Sequence, residues 1–175
     1  MSKILVVCYS YTGTCLDLAR ELCGQQGWQK AEIALIHPRS GTPGYWRCVL
    51  DSLLRSRPQI RYDGPPPREF EAVVLISPIW AFRLASPMRS FVARRRDHLP
   101  QVAVISVMGG AGAPNAVAEV GKLLGRESIQ SAAFTMKEVE EGECRERLQS
   151  FAGELSDALA SKRHPPPADL SPQTT

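Results

Sequence analysis

Three hydroxyl side chains, Ser10, Thr12 and Thr14, alternate with Tyr11 and Gly13 and lead into Cys15, shortly after the apolar run Ile4, Leu5, Val6, Val7 and Cys8. Hydroxyls at that spacing suit an oxyanion. They donate hydrogen bonds to phosphate oxygens, and Gly13 lets the backbone curl around the anion with no Cβ in the way. An amphipathic segment begins at Thr14, so these residues stand where a helix start exposes unpaired backbone N–H groups and the positive end of its dipole. The loop holds no lysine, and it contains neither a GKS or GKT ending nor a G-x-G-x-x-G pattern, which sets aside the two common nucleotide-phosphate loops. What remains is a site for a single phosphate monoester, without a metal and without phosphate transfer. The competing reading of the same hydroxyls is a simple helix cap.

Other reactive side chains add little. The five cysteines, Cys8, Cys15, Cys23, Cys48 and Cys144, are odd in number and form no C-x-x-C pair. With no secretory leader in view, they read as reduced thiols of a cytoplasmic protein, not as a disulfide framework or zinc site. Cys8 and Cys23 fall on apolar faces as small core residues. Cys15 stands near the first helical turn, where the dipole would lower its pKa and a bound phosphate would oppose that. It reads as a packing or phosphate-lining residue, not a nucleophile. His37, His98 and His164 have no carboxylate partner in the loops. No catalytic side chain and no metal site is expected.

The chain has 175 residues, 43% of them hydrophobic, with a formal net charge of +3. That length suits one domain with a full layered core. No apolar run nears the roughly twenty residues of a membrane span, so no membrane partner is expected. The basic run Arg94, Arg95 and Arg96 closes a predicted helix, where cations favour the dipole, and no aromatic residues interleave with it. A nucleic-acid partner is therefore not expected either.

The elements that must carry the loop follow from hydrophobic pattern. Continuous apolar runs at 4–8, 72–76 and 102–107 read as central parallel strands, and the more mixed runs at 31–36 and 132–136 as edges. Helical spacing predicts helices at 14–26, 45–55, 87–96, 115–124 and 144–161, with Ser86 and Pro87 as cap and first-turn residue of the third and Pro114 starting the fourth. Strand and helix alternate five times. The expected fold class is α/β: a three-layer, doubly wound, five-stranded parallel sheet in the order 2-1-3-4-5. Residues 1–162 form the expected domain. The proline-rich segment 163–175, with few apolar residues to anchor it, is expected to be a disordered tail.

In such a sheet a ligand sits beyond the carboxyl ends of the strands at the switch point. The loops there are the hydroxyl loop, the stretch from Ser77 to Phe82, and the glycine-rich stretch from Met108 to Ala113. The chain resembles the flavodoxin-like FMN-binding family over nearly its whole length, carried by the S-x-T-G-T loop and by Ser77-Pro78-Ile79-Trp80. The resemblance implies that Ser10, Tyr11, Thr12, Gly13, Thr14 and Cys15 hold the FMN phosphate. It implies that Pro78, Ile79, Trp80, Ala81 and Phe82 together with Gly109, Gly110, Ala111 and Gly112 flank the flavin ring, with Trp80 stacking on it. The alternatives for these residues are a tryptophan buried against the sheet and an ordinary turn.

The sequence also departs from that family. Cys15 stands where a hydroxyl is usual, the acidic surface of carrier proteins is missing, and no glycine follows the third strand. Arg83 near the expected ring would favour anionic reduced flavin and a less negative potential. Function is expected to be electron transfer through bound flavin, with a partner protein or a small electron acceptor. The alternatives are an FMN-dependent NAD(P)H oxidoreductase of the quinone reductase type, which pairing into a homodimer would suit, and a non-redox binding module of the same fold.

Overall fold

The structure is a computed structural model that describes residues 3–38 and 41–163. The expected tail beyond Arg163, including His164, lies outside the described residues. Strand β1 (Ile4–Tyr9) enters helix α1 (Thr14–Gln26), which is followed by β2 (Gln29–Leu35), α2 (Gly41–Leu53) and β3 (Ile60–Asp63). The long strand β4 (Ala72–Trp80) turns into the two-residue β5 (Arg83–Leu84) and then α3 (Ser86–Arg95). The chain continues through β6 (Gln101–Met108), α4 (Ala113–Leu124), β7 (Gln130–Thr135), the short α5 (Met136–Glu140) and α6 (Arg145–Arg163).

Five strands run parallel in the order β2-β1-β4-β6-β7, which is the 2-1-3-4-5 arrangement. The sheet departs from the expected all-parallel, five-stranded one, because it has seven strands among the described residues. β3 adds antiparallel to β2, so β2 is not an edge. β5 folds back antiparallel on the end of β4. The expected stop after Ile76 is also corrected: Ser77, Pro78, Ile79 and Trp80 continue the strand. Pairing of β4 with β1 ends at Cys8 opposite Ile76, whereas pairing with β6 runs on to Pro78 opposite Val107. Pro78 thus lies beyond the reach of β1, where its lack of an N–H is tolerated.

The helices cover both faces of the sheet. Leu5, Val7 and Tyr9 point with Val73 and Leu75 toward α3 and α4, while Ile4, Val6 and Cys8 point with Val74 and Ile76 toward α1 and α6. This strict alternation on fully buried strands explains their uninterrupted apolar sequence. Each fully buried Leu, Val or Phe contributes about 1.5–3 kcal/mol. At the start of α3 the cap position falls on Ala85, so Ser86 and Pro87 are the first two helical residues instead of cap and first turn.

Among the helices, α3 carries a buried charge. Arg89, 1% exposed, donates from Nε to Glu119 Oε1 on α4 at 2.5 Å and from Nη2 to the carbonyls of Ser52 (3.2 Å) and Leu84 (2.9 Å). Its Nη1 donates to the Ser56 carbonyl at 3.3 Å. One guanidinium thereby ties the end of α2, β5 and α4 to α3. Replacing Arg89 with Ala leaves Glu119 without its counter-charge and the carbonyls of Asp51, Ser52, Ser56 and Leu84 without this donor. The expected loss is about 3–5 kcal/mol, read from urea unfolding, and Arg89→Lys recovers less than half of it because an ammonium lacks the planar fork.

Candidate functional site

The hydroxyl loop joins β1 to α1 at the carboxyl end of the sheet. Gly13 takes the N-cap position with φ 107°, a conformation that a side chain disfavours, and an added Cβ there would meet nothing within 4 Å. The space over the loop is open. The cap reading of the hydroxyls does not hold, since no side chain caps α1. Ser10 Oγ instead accepts from the Gly13 N–H at 3.0 Å, and the Thr12 and Thr14 hydroxyls lie 3.2 Å apart. The first turn of α1 therefore keeps the N–H groups and partial positive charge that bind an anion.

Beside this loop a narrow slot of about 170 Å³ opens at the ends of β1, β4 and β6. Of the expected residues, Ser10, Tyr11, Thr12, Thr14 and Cys15 line it from the first loop, Pro78, Ile79 and Trp80 from β4, and Gly109 from the loop after β6. Trp80 is buried at 7% exposure and forms a wall built of ring edges. Tyr9 and Tyr11 each meet it with ring centres 5.9 Å apart and planes at 89° and 85°, and Tyr45 meets it at 6.4 Å and 79°. Such edge-to-face packing is favourable in itself. Tyr11 is further held by a hydrogen bond from its hydroxyl to the Gly41 carbonyl at 3.1 Å.

The remaining expected residues fall elsewhere. Ala81 and Phe82 form the two-residue turn between β4 and β5, both exposed, and face a different cavity that Arg83 also lines. Gly110 and Ala111 are exposed in the loop after β6 and do not line the slot. Gly112 caps α4 with φ 111°, and a Cβ there would stand 2.7 Å from Phe82 Cα. Its part is to let the loop lie against the hairpin.

Three slot residues were not foreseen from the sequence: Tyr45, Val107 and Met136. Tyr45 comes from α2 and Met136 from the start of α5. A signal existed for the second, because Thr135 and Glu138 form a capping box: Thr135 Oγ1 accepts from the Glu138 N–H at 3.2 Å and Glu138 Oε2 accepts from the Thr135 N–H at 2.6 Å. That pattern, Thr-x-x-Glu, fixes where α5 begins. The Thr135 hydrogen bonds, backbone first, hold the Glu138 carboxyl below its ordinary pKa.

The thiols in this region are inert. Burial pushes Cys15 up to about 12, overriding any pull from the helix start. Cys8 is raised as well, by burial first and by neighbouring Cys15 and Glu32 next. Neither is a nucleophile near neutral pH. Among the described residues no group of histidines, cysteines and carboxylates could hold a metal ion. No helix among them is long and apolar enough to cross a membrane.

No protein-family model and no curated protein matches the chain. Solved structures do. A flavoprotein from Lactobacillus acidophilus, solved in complex with FMN, is 18% identical with a TM-score of 0.67, covering 81% of this chain and 98% of its own. A Bacteroides uniformis protein is 18% identical with a TM-score of 0.72, covering 87% of this chain and 98% of its own. A flavodoxin from the Archaea is 17% identical with a TM-score of 0.50, covering 87% and 99%. At these identities the likeness defines the fold, and the fold is flavodoxin-like.

Two outcomes follow from this geometry. Gly112→Ala forces either the φ or the hairpin contact to give and is expected to destabilise the protein by about 1–3 kcal/mol in chemical unfolding. Treatment of the folded protein with iodoacetamide at pH 8 is expected to leave Cys15 and Cys8 unmodified, with half-buried Cys23 reacting first, as read by mass spectrometry of peptides.

Proposed function

We propose that the chain binds FMN and transfers electrons through it. The observation that carries this reading is the uncapped start of α1, open above Gly13 and ringed by the Ser10, Thr12 and Thr14 hydroxyls, next to an aromatic slot at the switch point of the sheet. The complex of the Lactobacillus acidophilus flavoprotein with FMN supports it. FMN, when bound, supplies one- and two-electron redox chemistry.

The chain's own residues do the rest. The backbone N–H groups of the first turn of α1 and the hydroxyls of Thr12 and Thr14 would hold the phosphate, while Ser10 keeps the loop closed through Gly13. Cys15, buried and protonated, adds a neutral wall with no charge to repel the anion. Tyr11, Tyr45, Trp80 and Met136 exclude water from the slot. The slot, about 170 Å³, is smaller than the roughly 300–1,000 Å³ of ordinary ligand pockets. Entry of a three-ring system therefore moves Tyr45, which is 40% exposed and is the slot aromatic carried by a separate helix. With a net charge of +3, an acidic protein is the partner that long-range attraction favours.

The test is a fluorescence titration of the apoprotein with FMN and with riboflavin, which lacks the phosphate. FMN is expected to bind at least about 10-fold more tightly, the worth of one charge-assisted hydrogen bond. The double variant Thr12→Ala with Thr14→Ala is expected to narrow that gap. Equal binding of the two flavins, or none, overturns the reading. Bleaching of the loaded protein by NADPH alone would reassign it from carrier to NAD(P)H oxidoreductase.

A further inference from the structure

We propose that a second cavity, bounded by the end of α2, the β4–β5 turn and α4, binds the phosphates of a small nucleotide. The inference stands on this cavity alone and does not rest on what fills the slot. Its volume is about 640 Å³, within the roughly 300–1,000 Å³ typical of small-molecule sites.

Charge is the first argument. Arg55, Arg57, Arg83 and Lys122 all line the cavity. None of the four has an ion-pair partner among the described residues. The carboxylate that shares the lining, Glu119, is already committed: Oε1 accepts from Arg89 Nε and Oε2 from the Leu84 N–H at 3.3 Å. Arg89 in turn spends its other donors on backbone carbonyls. The buried pair is neutral as a unit, so four positive charges face one space without compensation. Like charges gathered this way favour a polyanion, and guanidinium forks match phosphate oxygens two at a time.

Backbone geometry is the second. Among the described residues, the non-glycine positions with positive φ are Arg55 (55°), Ala81 (49°) and Phe82 (60°). All three line this same cavity. Ordinary turn geometry accounts for each and sets the cavity's walls: Arg55 closes α2, its N–H donating to the Ser52 carbonyl at 3.2 Å and the Ser56 N–H to the Asp51 carbonyl at 2.8 Å, and Ala81 and Phe82 form the two-residue hairpin turn.

The third argument is shape. Phe82 is 61% exposed and Leu53 is 50% exposed, and both line the cavity with the cations. A flat base can cover an exposed aromatic face while its phosphates take the guanidinium groups. A bare inorganic anion would leave these apolar surfaces in water, whereas a nucleotide diphosphate answers both.

Calorimetric titration of the full chain with ADP, run with saturating FMN present and again without FMN, tests this. ADP is expected to bind with a submillimolar Kd at low salt, adenosine at least about 10-fold more weakly, and added salt to weaken only ADP. Arg83→Ala combined with Lys122→Ala is expected to lower ADP affinity at least about 10-fold, and Arg94→Ala on α3 to leave it unchanged. Arg55→Gly separates binding from folding: it relieves the strained φ, so stability holds or rises while ADP affinity falls. Adenosine binding as well as ADP, loss of ADP binding when FMN is present, equal binding of a single-stranded oligonucleotide, or indifference to all these variants would each overturn the proposal.

Discussion

The constraint on which this molecule depends is the burial of one guanidinium. Arg89 sits in the interior of α3 at 1% exposure, and a charge there survives only when every donor is used. It finds its partners on three different elements, the end of α2, β5 and α4, so satisfying one side chain fixes how those elements stand relative to one another. The aromatic slot takes Tyr45 from α2 and Trp80 from the strand that β5 folds against. Both walls of the candidate site are thus set by a residue that touches neither.

Two further features work with that clamp. The parallel order of the sheet gathers the loops after β1, β4 and β6 at one end, and the lack of any side-chain cap on α1 leaves one of those loops able to take an anion. A helix end without a cap is a small loss of stability, offset here by the nearly complete burial of β1 and of the face of α1 against it. Stability and binding capacity are therefore divided between adjacent residues: Leu18, Ala19 and Leu22 hold the helix, and Thr12 to Thr14 keep its start available.

The parallel core was legible from sequence for a definite reason. A strand covered on both faces has no polar positions, so Val73, Val74 and Leu75, or Val102 to Ile105, can be read as little else, and helix α1 was bounded to the residue by Gly13 and Gly27, both of positive φ. The loop between β1 and α1 was equally visible, because Ser10, Thr12, Gly13 and Thr14 are neighbours in sequence. What escaped detection depends on distant packing. β3 is four residues set between the arginine- and proline-containing stretch 55–59 and the prolines at 65–67, and it forms against the edge that β2 offers it. The continuation of β4 was hidden by Ser77 and Pro78, which break most strands but are accommodated here where β1 has ended. Tyr45 belongs to an amphipathic helix whose docking cannot be inferred from spacing, and the left-handed turn at Ala81 and Phe82 carries no glycine to announce it.

That turn separates the aromatic slot from the basic cavity. Pro78, Ile79 and Trp80, on its rising strand, line the slot, whereas Ala81, Phe82 and Arg83 line the basic cavity. A partition of six residues has little room to yield independently on its two sides, and Gly112, packed on Phe82 with no space for a methyl group, resists its retreat. Occupants of the two chambers would accordingly sense each other, and thermodynamic reciprocity makes the influence equal in both directions.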